Sequence, residues 1–216
     1  MRGRHRAVVV LPCSGRCGRV PAAAGVVTVP ATPQPPAVFR RAVAALDRIR
    51  PRPEVRLTPV KPPQRLAPWA HALGAHVGDD EPELVSARLV LLHDPAGQDA
   101  WDGVLRIVVY LRADLETEFA GDPLLPEVGW SWLTEALQGA GAEHAALGGT
   151  VTQTSSARFG DIAGPPRSAD LELRASWTPL GEDLDPHADA FCELIAFAAG
   201  LPPVGVAALA HRNADG

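Results

Sequence analysis

The chain of 216 residues is poor in the residue types that mark most recognisable functions. It has one lysine, Lys61, against 19 arginines, one tyrosine, Tyr110, and one methionine. Three cysteines, Cys13, Cys17 and Cys192, make no even set for a disulfide framework, and Cys13-x3-Cys17 lacks the second pair that a zinc site needs. Reduced thiols in a cytoplasm are the expectation. No apolar run approaches the ~20 residues that span a bilayer, the longest being VVVLP and LVLL, so a soluble protein with no membrane contact is expected. GxSxG, HExxH, P-loop and GxGxxG are all missing, and Ser155, Ser156 and Ser176 have no sequence context that marks a nucleophile. The reading therefore leans away from an enzyme and assigns no catalytic residue, metal ligand or cofactor.

Charge of one sign is missing locally. Residues 1–35 hold five arginines and no acid, which leaves 15 basic against 25 acidic side chains in the remainder. A body that acidic argues against wrapping nucleic acid, although a local arginine face keeps that open. The apolar run AVVVLP is broken by Pro12, too early for a secretory signal. Residues 1–34 are read as a disordered tail or as an upstream stretch translated from a wrongly chosen start, with Val27 and Val29 as alternative starts. Residues 35–203 are read as one domain and 204–216 as a flexible tail.

Within that domain, Pro35-Pro36 opens a helix in which Val38, Phe39, Ala42, Val43, Leu46 and Ile49 share a face until Pro51. A strand over 54–60 follows, then a Pro-rich connection through WAHALGAH, then strands over 83–92 and 104–112. The Trp130-Ser131-Trp132 helix runs to about Ala140. Two further strands, 150–159 and 169–179, and a helix opened by Asp185-Pro186 complete the order α-β-β-β-α-β-β-α. Runs of strands joined by turns imply antiparallel pairing. The expected fold is an α+β two-layer domain, an antiparallel sheet of about five strands with helices on one face. That order is the same as in type III secretion chaperone-like proteins, which are small dimeric adaptors, but order alone does not fix function.

Three features carry the functional question. On a helical projection, Trp130 and Trp132 fall at the two rims of one broad apolar face. They seal the helix onto the sheet, line a groove for a partner, or form a stacking platform for a base or sugar. His93–Gly103, HDPAGQDAWDG, is long for a hairpin connection and brings His93, Asp94, Asp99, Trp101 and Asp102 into one segment. Asp94-Pro95 and Asp102-Gly103 are turn dipeptides; a binding loop or a metal-assisted acid/base site is the alternative. Third, if Leu105, Ile107, Val109 and Leu111 face the helices, then Arg106, Tyr110 and Arg112 face away. Parity turns Arg56, Arg88, Arg158 and Arg174 the same way, with Thr58, Ser86, Thr152, Thr154, Ser156 and Thr178. Such a face either solubilises a protein nearly devoid of lysine or docks an acidic peptide, a phosphate-bearing ligand or a second copy of the chain. Of the remaining signals, Gly78–Glu83 reads as a solvated turn and His187 as a satisfied, partly buried histidine.

The stretches PPAVFRRAVAALDRIRPRPEVRLT, RLAPWAHAL, RLVLLHDPAGQDAWDG, DPLLPEVGWSWLTEAL and RASWTP together resemble an uncharacterised actinobacterial family, the domain of unknown function numbered three thousand, over roughly 35–203. The resemblance implies an intracellular protein and a link with RNA metabolism, and brings no activity, cofactor or catalytic residue. The leading expectation is a non-enzymatic, chaperone-like adaptor, as a possible homodimer, that binds a protein partner. The alternatives are a metal-assisted enzyme using the His93–Asp102 segment and an RNA-associated factor.

Overall fold

The structure, a computed structural model, describes residues 34–78, 84–116, 118–119, 121–161 and 167–203. Gln34 apart, these belong to one compact unit that begins at Pro35. The expected tails, up to residue 33 and from 204, and most of the charged turn, 79–83, lie outside the described residues.

Pro36 stands at the N-cap of helix α1, Ala37–Leu46, where a missing N–H costs nothing because the first helical donors have no intrahelical partner. Strands β1, Val55–Pro59, β2, Trp69–Val77, β3, Val85–Gln98, and β4, Gly103–Leu115, follow as successive antiparallel neighbours. Helix α2, Leu125–Gly139, then leads into the hairpin of β5, His144–Ala157, and β6, Arg167–Pro179, and helix α3, Asp185–Ala198, closes the order. The sheet runs β1-β2-β3-β4-β6-β5, antiparallel throughout, so β6 returns beside β4 and β5 ends at the margin.

The α+β antiparallel architecture is the one expected, with six strands in place of about five. The additional strand is β2, in the Pro-rich stretch expected to be a connection. Its inward residues Leu73, Ala75 and Val77 are buried against the helices, but its outward Ala72 is buried too, so the period-two alternation that marks a strand is muted. Gly74 on the same outward side is crowded: a Cβ there would stand 3.0 Å from Val60 and 3.1 Å from the Thr58 hydroxyl. Small residues are what that face of β2 can hold.

The helices cover one face. Phe39, Ala42 and Leu46 of α1, Leu133, Ala136 and Leu137 of α2, and Phe191, Leu194 and Ile195 of α3 join one core with the inward residues of β2, β3, β4 and β6. The expected inward set Leu105, Ile107, Val109 and Leu111 is buried throughout, as is Leu171, Leu173, Ala175 and Trp177 on β6. The other face bears a second, smaller apolar cluster with no helix in it: Ala72, Val90, Leu92 and Trp101, flanked by Val60, Ala67, Ala70 and Val108.

Candidate docking face

Antiparallel register sets the helix-free face as rows of side chains across the strands. One row reads Arg88 on β3, Tyr110 on β4, Arg174 on β6 and Thr150 on β5. The next reads Ser86, Arg112, Glu172 and Thr152, and beyond it Asp114, Asp170 and Thr154. Of the arginines expected to face away from the helices, Arg88, Arg112 and Arg174 stand in adjacent rows, where they interleave with acids. Arg174 Nε lies 2.7 Å from Glu172 Oε1 and its guanidinium 5.6 Å from the Tyr110 ring centroid. The Tyr110 hydroxyl donates to Glu172 Oε2 across 2.8 Å. Burial, with the Glu172 hydrogen bond and charge behind it, raises the Tyr110 pKa. Arg112 reaches Asp114 at 3.4 Å and Asp170 at 3.5 Å; burial works against its charge, and the two carboxylates outweigh that and raise its pKa. Parity along SADLELR places Asp170 and Glu172 on the same face as Arg174, which is the signal by which the sequence announces this pairing.

Two guanidinium groups stand outside the pairing. Arg88 is exposed and has no carboxylate partner among the described residues. Arg106 is half-buried and held by oxygens that carry no charge: Nη1 donates to Thr178 Oγ1 at 3.1 Å, and Nη2 to Ser176 Oγ at 2.8 Å and to the Ser176 carbonyl at 3.3 Å. Burial lowers its pKa, and no acid offsets that. The Thr178 hydroxyl in turn donates to the Trp101 carbonyl. Arg106 is thus built into the sheet's end and is not the free surface cation that alternation suggests. Arg56 lies on β1 opposite His76, and Arg158 falls just past the last residue of β5, half-buried.

The HDPAGQDAWDG segment is for the most part not a loop. β3 continues to Gln98 and β4 starts at Gly103, with an irregularity in pairing between His93 and Gln98, so the connection is the four residues 99–102. His93 points into the helix layer, 2% exposed, with its ring stacked 5.9 Å from that of Phe39. Its Nδ1 lies 2.9 Å from the Val104 carbonyl, which can only accept, so Nδ1 carries the proton; Nε2 has no partner among the described residues. Asp94 makes a local turn instead: Oδ1 accepts from the Ala96 amide at 3.1 Å and Oδ2 from Gln98 Nε2 at 3.3 Å. Asp99 and Asp102 are exposed, and Asp102 takes a φ of 54°, which Asp tolerates in turns. Imidazole and carboxylates therefore do not converge, and among the described residues no group of three or more His, Cys, Asp or Glu could hold a metal ion. Trp101 folds back from this turn over the outer face and roofs Val90 and Leu92.

Trp130 and Trp132 are half-buried and packed against the main core. α2 comes close to the sheet because Gly129 has no Cβ; one there would stand 2.8 Å from Leu171 and 3.2 Å from Val151. Trp130 then lies over Gly149 of β5, its Cζ3 2.9 Å from where a Cβ would be. Both rings pack α2 into the fold, as any core could use them, and Trp130 fills the space that a glycine leaves.

No helix among the described residues is long and apolar enough to cross a membrane. No curated protein and no solved structure matches the chain. The family described as "Protein of unknown function (DUF3000)" matches residues 35–207, most of the sequence, and the chain belongs to that family.

Proposed function

We propose that this protein is a non-enzymatic adaptor that docks an acidic segment of a partner protein on the part of the helix-free sheet face that Trp101 leaves open. One observation supports the reading: on a chain with a formal charge of −5, the open part of this face holds an exposed guanidinium group, Arg88, that no described carboxylate neutralises. A cation set against a flat sheet and left without its counter-ion suits a carboxylate from outside. Arg174 and Arg112 can join it, because both guanidinium groups are exposed to solvent, where ion pairs are weak enough to exchange. A metal-assisted reaction at the His93–Asp102 segment is the less favoured reading, since His93 faces the helices while Asp99 and Asp102 face solvent.

The test is anisotropy of a fluorescein-labelled Glu/Asp-rich peptide titrated with the protein at low and moderate salt. Wild type should bind, more weakly as salt rises. The double variant Arg88→Glu, Arg174→Glu should lose affinity by about tenfold or more at an unchanged far-UV spectrum, as expected for two reversed contacts. Equal binding by the two proteins rejects the face as the site.

A further inference from the structure

Among the described residues β5 is paired on one side only. It lies at the margin of the sheet, against β6 alone, from His144 opposite Pro179 to Ala157 opposite Arg167. Its register shifts once, between Ala145 and Gly148, and is unbroken from Gly148 to Ala157. Those ten residues, GGTVTQTSSA, contain no charge and no proline, and at ~3.4 Å per residue they present about 34 Å of strand with unbroken register. Thr150, Thr152, Thr154, Ser155, Ser156 and Ala157 are all exposed. The opposite margin is blunted in the usual ways: β1 is five residues long, carries Arg56 and ends on Pro59. Lysine, proline, bulges and brevity are how folded proteins keep a bare margin from pairing, and 148–157 uses none of them.

We propose that β5 pairs antiparallel with β5 of a second copy, so that the sheet continues through a two-fold axis at Thr152 or Gln153. Charge selects the occupant. A two-fold contact sets each surface against itself, and a net-acidic chain meets its own sign almost anywhere it does so. The 148–157 margin is a neutral window where two such bodies approach without repulsion. Parity selects the register. An axis on a residue pairs positions of like parity, so helix-side residues meet helix-side residues and threonines on the other face meet threonines, Thr152 opposite Thr154 about Gln153. Threonine pairs across strands are favourable, and every pairing in this window is neutral. Gln153 lies between the outward Thr152 and Thr154, and its amide already donates to the Phe119 carbonyl at 3.1 Å, an arrangement the contact leaves in place. The assembly would set two copies of the Arg88–Tyr110–Arg174 row in one continuous surface, with β5 of each copy between them.

Sedimentation equilibrium of the full chain tests this. Wild type should run at twice the 22.7 kDa of one chain at micromolar concentration. Thr152→Glu with Thr154→Glu should run as a monomer with an unchanged far-UV spectrum, its dimer dissociation constant raised about a hundredfold or more by like charges set opposite one another. Mixing that variant with Thr152→Arg, Thr154→Arg should restore a mixed dimer. A monomeric wild type overturns the proposal, whether the margin is then bare, covered by the chain itself or reserved for a different protein. A dimer that survives both glutamates overturns it too. Sedimentation reads the association of copies alone, and acidic-peptide binding is read separately with the Arg88 and Arg174 variant, so the two proposals can fail independently.

Discussion

The indole N–H of Trp177 donates to Nδ1 of His187 across 3.1 Å in the main core, where each residue is 1% exposed. Nδ1 can accept only while the proton sits on Nε2, so protonating His187 breaks this bond and buries a cation. Burial first, and His144 second, lower the His187 pKa to about 4, with Asp183 opposing them. An unfolded chain takes up that proton near 6.5, so between the two values the unfolded state binds more protons. The contribution to stability is full above pH ~6.5, falls as pH declines, and levels off below about 4. Its ceiling is about 3 kcal/mol, at 1.36 kcal/mol per unit. Denaturant unfolding at a series of pH values, wild type against His187→Leu, should show the slope only in wild type; equal slopes would show that His187 is not its source.

Gly148 and Gly149 should respond oppositely to the same methyl group. A Cβ on Gly149 would collide with the Arg174 carbonyl oxygen and stand 2.9 Å from both Ala175 Cα and Trp130 Cζ3. The first two are backbone of the paired strand and cannot yield without loosening the β5–β6 ladder. Gly149→Ala should cost about 2–3 kcal/mol, the usual penalty for overpacking. A Cβ on Gly148 meets nothing within 4 Å, and Gly148→Ala should be neutral or gain about 0.5 kcal/mol by restricting the unfolded chain. Melting temperatures of the pair check this, and equal shifts would show that the close approach is not real.

The same physics decides which elements are legible in the sequence. β4 and β6 each have a helix-facing side and a largely polar side, and LRIVVYLR and LELRASW therefore alternate and read as strands. β2 and the LVLL portion of β3 are covered on both sides, by helices below and by Val60, Ala67 and Trp101 above, and alternation fades where both faces are dry. Parity also sorts the docking face, down to the acids of β6. It cannot report that Trp101, in the turn after Gln98, folds back onto Ala72, Val90 and Leu92, because this depends on contacts between segments distant in the chain. His93 shows the same limit: the alternation that buries it continues past Leu92, where the sequence reads as loop.

Trp101→Ala separates the two readings of that turn. If Trp101 were a binding residue on a loose loop, truncation would leave stability alone. In the structure it is 9% exposed and lies with Ala72, Val90 and Leu92 in the second apolar cluster. Truncation should therefore cost about 3–5 kcal/mol, the range for a buried aromatic, while the hydrogen bond from Thr178 persists because its acceptor is backbone. Chemical denaturation reads the difference, and a change under 1 kcal/mol would return Trp101 to the list of binding candidates.

Cys192 lies on α3, half-buried, and burial, with Asp189 and Glu193 nearby, pushes its thiol up to about 12. The thiolate is the reactive form, and an unperturbed cysteine near 8.5 is about a quarter ionised at pH 8. In the folded protein Cys192 should hold only about a ten-thousandth of its thiol as thiolate at that pH. Iodoacetamide at pH 8 should therefore leave the Cys192 peptide unmodified in native protein and alkylate it in denaturant, with rates about a thousandfold apart when followed by peptide mass. Native labelling at the rate of a free thiol would mean that α3 lifts from the core often enough to expose this position. The low-pKa setting of a redox or nucleophilic cysteine is the opposite of this one, so Cys192→Ala should leave fold and partner binding unchanged.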